Sequence, residues 1–328
     1  MEALRQEVAQ YKLVKQAVKK QRSNGSWGGN MLGIAPSKAQ GIKDVGTVAQ
    51  YRHLLELGLT TPPRPFRLAE RLFHRVLSRD ADPSLLFEYQ QQARQNPDLG
   101  DWARDLMREA VTAGLAQAGK NEDPRVRGAA HRILSQVSQF LRSELADKPI
   151  VRKGSRSILH PDARPPTTFS VAMLAYLPRL QRERAGLVER LGAFLTKPAP
   201  KRTYVVQLGK KVVKPTFYLL GDPLQADNAS NAKDLPFALH WLEVLARLGL
   251  LEKSPVGLRI IGRLLKDCDD NGVWNPKNLR AVPKSSSGLA DFAFPLEADT
   301  SSPEGKKVDV TFRLALIAKL AGWALDYA

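Results

Sequence analysis

Cysteine is almost missing from this chain: one residue, Cys268, in 328. A single thiol excludes a disulfide framework within the chain and suits a reducing compartment. Histidine is nearly as scarce, with five residues and none after His240. A structural zinc site needs four clustered Cys or His ligands, so neither a metal nor a cofactor is expected. No apolar run is long enough to span a bilayer, since Leu314 to Leu325 is short and interrupted by Lys319. The N-terminal Met-Glu-Ala-Leu-Arg-Gln-Glu offers no apolar core for a signal peptide, so a cytoplasmic location is expected. There is no Gly-x-x-x-x-Gly-Lys-Ser/Thr frame, no Gly-x-Gly-x-x-Gly after a strand and no Gly-x-Ser-x-Gly elbow.

Acidic residues are scarce in one region only. Residues 151–220 hold 14 basic and 3 acidic side chains, against a chain-wide net charge of +17. Residues 1–60 carry 9 basic and 4 acidic side chains, residues 61–150 are nearly balanced, and residues 221–328 are slightly acidic. Charge concentrated in this way forms a patch rather than a diffuse solubilising field. Apolar content of 43% and charged content of 25% are ordinary for a globular protein able to bury a full core.

What is present is a repeat. Gln21-Arg22-Ser23-Asn24-Gly25-Ser26-Trp27 is followed by Asp44-Val45 and a helix opening at Thr47 and ending at Gly58. Cys268-Asp269-Asp270-Asn271-Gly272-Val273-Trp274 is followed by Asp309-Val310 and a helix opening at Thr311 and ending at Gly322. A third copy, Thr168 to Pro178, matches Thr311 to Ala321 at five of eleven positions, and a looser fourth runs from Ala238 to Gly249. Asn-Gly supplies a positive-φ turn, the Trp folds back over the next helix, Asp and Thr suit an N-cap, and Gly suits the C′ position. Each unit is then a helical hairpin that needs neighbours to bury its apolar face.

The Gln21, Gly25 and Trp27 spacing resembles the glutamine–tryptophan repeat of squalene–hopene cyclases and protein prenyltransferase β subunits. Cys268 stands where the second copy would carry Gln. The resemblance implies a mainly all-α chain whose helical hairpins close as an α/α toroid, with 1–328 forming a single domain. Asp267-Cys268-Asp269-Asp270 is similar to the Asp-x-Asp-Asp pattern of class II terpene cyclases, which makes Asp267, Asp269 and Asp270 candidate catalytic acids. The alternative is a solvated turn, because the pattern runs into Asn271-Gly272 rather than Thr-Ala. Asp123-Pro124-Arg125-Val126-Arg127-Gly128-Ala129-Ala130 resembles the second-helix start of a HEAT repeat, an array found in scaffolds and in one class of alkyl-base DNA glycosylases.

Two basic segments interrupt the helical pattern as insertions. Residues 148–167 read as a long non-helical connection carrying Arg152, Lys153 and Arg156. Residues 201–220 read as a β-hairpin, with β-branched and aromatic residues flanking Gly209-Lys210-Lys211. Lys201, Arg202, Lys210, Lys211 and Lys214 are placed to meet phosphates, with Tyr204, Phe217 and Tyr218 available to stack on bases. The alternative is a hairpin whose aromatics pack on the helices while its lysines protect an edge strand.

Three functions follow as expectations. The first is non-enzymatic binding of a polyanion, nucleic acid first among them, through residues 151–220. The second is a toroid enzyme acting on an isoprenoid diphosphate or a glycan in a central cavity lined with acids. The third is a scaffold for an acidic protein partner. Whether the chain is an enzyme is left open by its residues, because fold alone does not fix function.

Overall fold

The computed structural model describes residues 2–35, 41–42, 44–60, 63–79 and 82–324. The chain is mainly helical, with 53% of residues in helices, and carries two small antiparallel sheets. The described residues divide into two compact units, one formed by 1–180 and 199–220, the other by 181–198 and 221–328.

The first unit contains helices α1 (Glu2–Gln10), α2 (Lys12–Lys20), α3 (Thr47–Glu56), α4 (Arg64–Ser78), α5 (Gln90–Ala93), α6 (Pro97–Gln117), α7 (Pro124–Arg142) and α8 (Thr168–Ala175). Helix α6 is its centre and packs against α3, α4, α5, α7 and α8. Ala103, Leu106, Met107, Ala110, Val111, Ala113 and Leu115 are all buried there, small residues alternating with large ones so that neighbouring helices approach closely. Pro97 and Pro124 occupy first-turn positions behind the side-chain caps Asn96 and Asp123. The HEAT-like opening at Asp123 is thus a capped helix start.

Helix α9 (Pro178–Glu183) leads out of this unit. The second unit contains α10 (Ala185–Leu195), α11 (Leu235–Arg247), α12 (Pro255–Leu265) and α13 (Gly305–Leu320). Helix α11 is buried on nearly every side and packs on α13. A buried ion pair joins them, Arg313 Nη1 to Glu243 Oε2 at 2.6 Å, with Arg247 Nη2 on Glu243 Oε1 at 2.9 Å. Arg313 also donates to the Ala293 carbonyl at 2.8 Å.

The repeated turn has the same geometry in both units. Trp27 and Trp274 are buried, and each backbone N–H donates to the hydroxyl of the Thr predicted to open the next helix, Thr47 and Thr311, at 3.1 Å in both cases. Each Trp forms an antiparallel bridge to the residue six positions earlier, Gln21 or Cys268. Gly25 and Gly272 both have positive φ. At Gly25 a Cβ would lie 2.4 Å from the Leu68 carbonyl oxygen, so only glycine fits. Gln21 adds donations to the Gly25 and Pro65 carbonyls, which Cys268 cannot copy.

The structure departs from expectation in three places. Helix α13 begins at Gly305, so Thr311 lies inside it, and Asp309 caps nothing but accepts the N–H groups of Leu296 and Glu297. The N-cap of α3 is Gly46, without a side-chain cap. The N-terminal segment, whose Leu4, Val8, Tyr11, Val14 and Val18 recur at three- and four-residue steps that predict one helix over 2–22, is broken at Tyr11, with Val14 buried and Leu4 exposed.

The shared hydrogen bond should be measurable. Thr47 is fully buried, and its hydroxyl also donates to the Asn30 carbonyl at 2.5 Å. Thr47→Val leaves the buried Trp27 N–H without an acceptor, while the Asn30 carbonyl keeps the Thr47 backbone N–H, and is expected to destabilise the protein by about 2 kcal/mol, with Thr311→Val costing about 1 kcal/mol because that hydroxyl is only part-buried. Urea titration of both variants checks this, and a Thr47→Val midpoint equal to wild type would show that the bond does not pin the turn.

Candidate functional site

The basic connection at 148–167 is itself a hairpin. Strands β1 (Ile150–Lys153) and β2 (Arg156–Leu159) pair across Gly154-Ser155, and β3 (Val206–Leu208) and β4 (Lys211–Val213) pair across Gly209-Lys210. Gly154 and Gly209 take positive φ at the two tips, as two-residue hairpin loops require.

The two hairpins lie side by side. Val205 bridges Ile158 in parallel, with Leu159 N–H donating to the Val205 carbonyl at 2.9 Å and Val205 N–H to the Ser157 carbonyl at 3.1 Å. Parallel pairing sends the two tips to opposite ends of the ribbon. Arg152, Lys153 and Arg156 surround the first tip, and the chain through Lys201 and Arg202 enters from that end. Lys210 and Lys211 mark the second tip, with Lys214 between. All eight are exposed, and none forms an ion pair among the described residues.

The aromatics predicted to stack on bases are not displayed on this surface. Phe217 is buried against Phe169, with ring centroids 4.6 Å apart. Tyr204 is partly buried, which pushes its phenol up to about 12. Tyr218 lines cavities beneath the ribbon. Burial of large rings against a helical core outweighs their display to solvent.

The ribbon is anchored to α6. Asn96 accepts the Leu99 N–H as the helix cap, and its Nδ2 donates to the Leu208 carbonyl at 2.9 Å. Leu219 N–H donates to the Pro166 carbonyl, and Thr168 N–H to the Phe217 carbonyl, which ties the exit of β4 to the start of α8.

Two cavities lie between α6 and the ribbon and share a wall of Trp102, Leu106 and Tyr218. The first, about 370 Å³, is acidic. Asp98, Asp101, Asp105 and Glu109 recur at steps of three and four along α6, which puts them on one face of the helix. Arg164 and His160 bring basic groups to the same lining. Glu109 lies deepest and accepts a hydrogen bond from the Thr167 hydroxyl. Burial raises its carboxyl to about 7, the Thr167 bond opposes this, and nearby Asp105 adds to it. Asp105 is exposed at the cavity rim, 3.6 Å from Arg108 Nη1.

The second cavity, about 500 Å³, is apolar, with Ile34, Val212, Val213 and Phe217 among its walls. Tyr89 reaches it from a strained segment. Phe87 holds φ 42°, unusual for a bulky residue, and Glu88 is buried while accepting N–H groups from Met31 and Leu32 at 2.7 and 2.8 Å. Glu88 thereby fixes the loop that carries Ile34 to the cavity.

The candidate acids of the second unit lie elsewhere. Asp269 and Asp270 are exposed in the turn, and Asp269 accepts the N–H groups of Asn271 and Val273 at 3.0 Å. Asp267 is bound by Arg263 at 2.8 Å and, with Trp274, borders an open concavity of about 730 Å³. Geometry therefore brings the basic residues together and leaves the three aspartates in a turn. Sequence reasoning missed the α6 carboxylates, although their spacing around Trp102 is visible in the chain. Among the described residues no group of three or more His, Cys, Asp or Glu could hold a metal ion, and no helix is long and apolar enough to cross a membrane. No family model, curated protein or solved structure matches the chain.

Glu109 yields a pH prediction. Its folded value of about 7 lies above the usual 4.5, so the folded state keeps a proton that the unfolded state releases. Stability from this group is full below pH 4.5 and is lost as pH rises through 7. Glu109→Gln is expected to melt above wild type at pH 8, by at most about 3 kcal/mol, with the gap closing toward pH 4.5. Thermal melts across that range check it, and a gap that widened in acid would contradict the assignment.

Proposed function

We propose that the unit formed by 1–180 and 199–220 binds a polyanion, a nucleic-acid backbone before others, through the cations of the two joined hairpins. One observation carries the reading: the Val205 bridge to β2 merges two basic hairpins into one surface whose eight cations are exposed and unpaired with carboxylates of the described residues. Cations without carboxylate partners release condensed counterions from a phosphate chain without first breaking internal ion pairs. The proposal takes the α/α toroid suggested by the repeat as its scaffold, supported by the matched turns at Trp27 and Trp274. It keeps the cytoplasmic setting suggested by a lone cysteine.

A second reading has one feature in its favour. Glu109, protonated near neutrality beside the ionisable Asp105 in a cavity, has the character of a general acid, as a toroid enzyme acting on a glycan would need. The binding reading stands ahead because eight exposed cations carry it and its chemistry requires no substrate geometry.

Fluorescence anisotropy with short single- and double-stranded DNA and RNA over a salt series tests the proposal. Wild type is expected to weaken steeply with salt. Changing Lys201, Arg202, Lys210, Lys211 and Lys214 to Ala should reduce the slope by roughly 0.7–0.9 for each phosphate that is no longer neutralised. Binding that is absent at low salt, or indifferent to salt, overturns it.

A further inference from the structure

The apolar cavity holds more hydrogen-bonding capacity than its own structure uses. Tyr89 is 1% exposed, and its hydroxyl, fully shielded, has no hydrogen-bond partner. The Trp102 indole N–H, also shielded, lies beside the Tyr218 hydroxyl but makes no hydrogen bond of good geometry. The Tyr89 and Trp102 rings meet edge to face at 5.7 Å, so neither can turn away without giving up that packing. A buried hydroxyl without a partner is costly, and such a group beside a cavity points to an occupant that supplies the acceptor.

We propose that this cavity of about 500 Å³, walled by Tyr89, Trp102, Val213, Phe217 and Tyr218, receives one unstacked base of a single-stranded nucleic acid, with Lys214 meeting the adjoining phosphate. The inference rests on the polyanion reading and names the form of ligand that reading would select.

The argument joins shape, polarity and position. The volume lies within the range of about 300–1,000 Å³ occupied by small-molecule sites, ample for a flat heterocycle. The walls are aromatic and aliphatic, which suits the face of any base. The unmet groups are donors, and every base edge carries ring-nitrogen or carbonyl acceptors. Lys214 is exposed, borders the cavity, and sits one residue beyond β4, so the cation row and the cavity are continuous. Val212, 44% exposed, places an apolar side chain on the same border. A duplex offers no such base until it is unpaired and unstacked, so the cavity favours single strands.

The test compares a single-stranded DNA oligonucleotide with the duplex of the same sequence, at a salt concentration where both are measurable. Wild type is expected to bind the single strand at least about tenfold more tightly, the scale of one base stacked on aromatic side chains. Tyr89→Phe removes only the unpartnered hydroxyl. It should melt at or above wild type yet bind the single strand roughly fivefold more weakly, with duplex affinity unchanged. Val213→Trp fills the cavity and should abolish the preference while keeping salt-dependent duplex binding. Equal wild-type affinity for the two forms overturns this inference and leaves the polyanion reading intact. A preference that survives both variants overturns it as well. Failure to bind either form sinks the polyanion reading and the inference with it.

Discussion

A helix buried on almost every side has one stripe left for polar side chains, and α6 puts its carboxylates there. Asp98, Asp101, Asp105 and Glu109 repel one another along a single face, at a distance where like charges destabilise a helix. That cost is tolerated because the opposite faces bury Ala, Leu, Met and Val against five neighbouring helices. The rest of the unit is arranged around this helix. Its cap, Asn96, holds the second hairpin; its deepest carboxylate, Glu109, holds the capping residue of α8; its indole, Trp102, divides the cavity beneath the ribbon.

The second unit handles buried charge differently. Glu243 is fully buried, yet two arginines meet it, one on each oxygen. A paired buried charge is scaffold: removing one partner strands the other. Glu109 has a hydroxyl for a partner and another carboxylate, Asp105, for its charged neighbour, so its proton affinity moves upward. The same side chain thus plays different parts in the two units, and the neighbours decide which.

Much of the fold was legible because it depends on local rules. Pro97, Pro124 and Pro255 each follow a capping side chain, and the corresponding helices begin there, while Pro236 stands at the second position of α11 behind the cap Asp234. The Asn-Gly-x-Trp repeat was legible because a positive-φ turn admits few residues. The start of α13 was not, since Thr311 and Asp309 look like caps until the helix is seen to begin at Gly305. The eight cations were legible as a segment, but not the parallel bridge at Val205 that joins their hairpins, because such pairing leaves no local mark. The acidic cavity was hidden because its walls come from α6, α7 and the two hairpins, and long-range packing of that kind has no spacing rule.

The opposed hairpin tips also fix a distance. Ile158 is level with Val205, the first tip lies about three residues back along β2, and the second about four residues ahead along β3. At about 3.3 Å per residue the tips stand roughly 23 Å apart. A strand in duplex geometry carries a phosphate about every 3.4 Å, so roughly seven phosphates span that gap. If the cations meet a phosphate chain as proposed, a shorter chain would engage one cluster at a time. A longer one would engage both, and its second attachment would form at the high local concentration set by the first. On the proposed reading the ribbon would measure length as well as charge: affinity would rise in a step, rather than smoothly, once the ligand reached from one tip to the other.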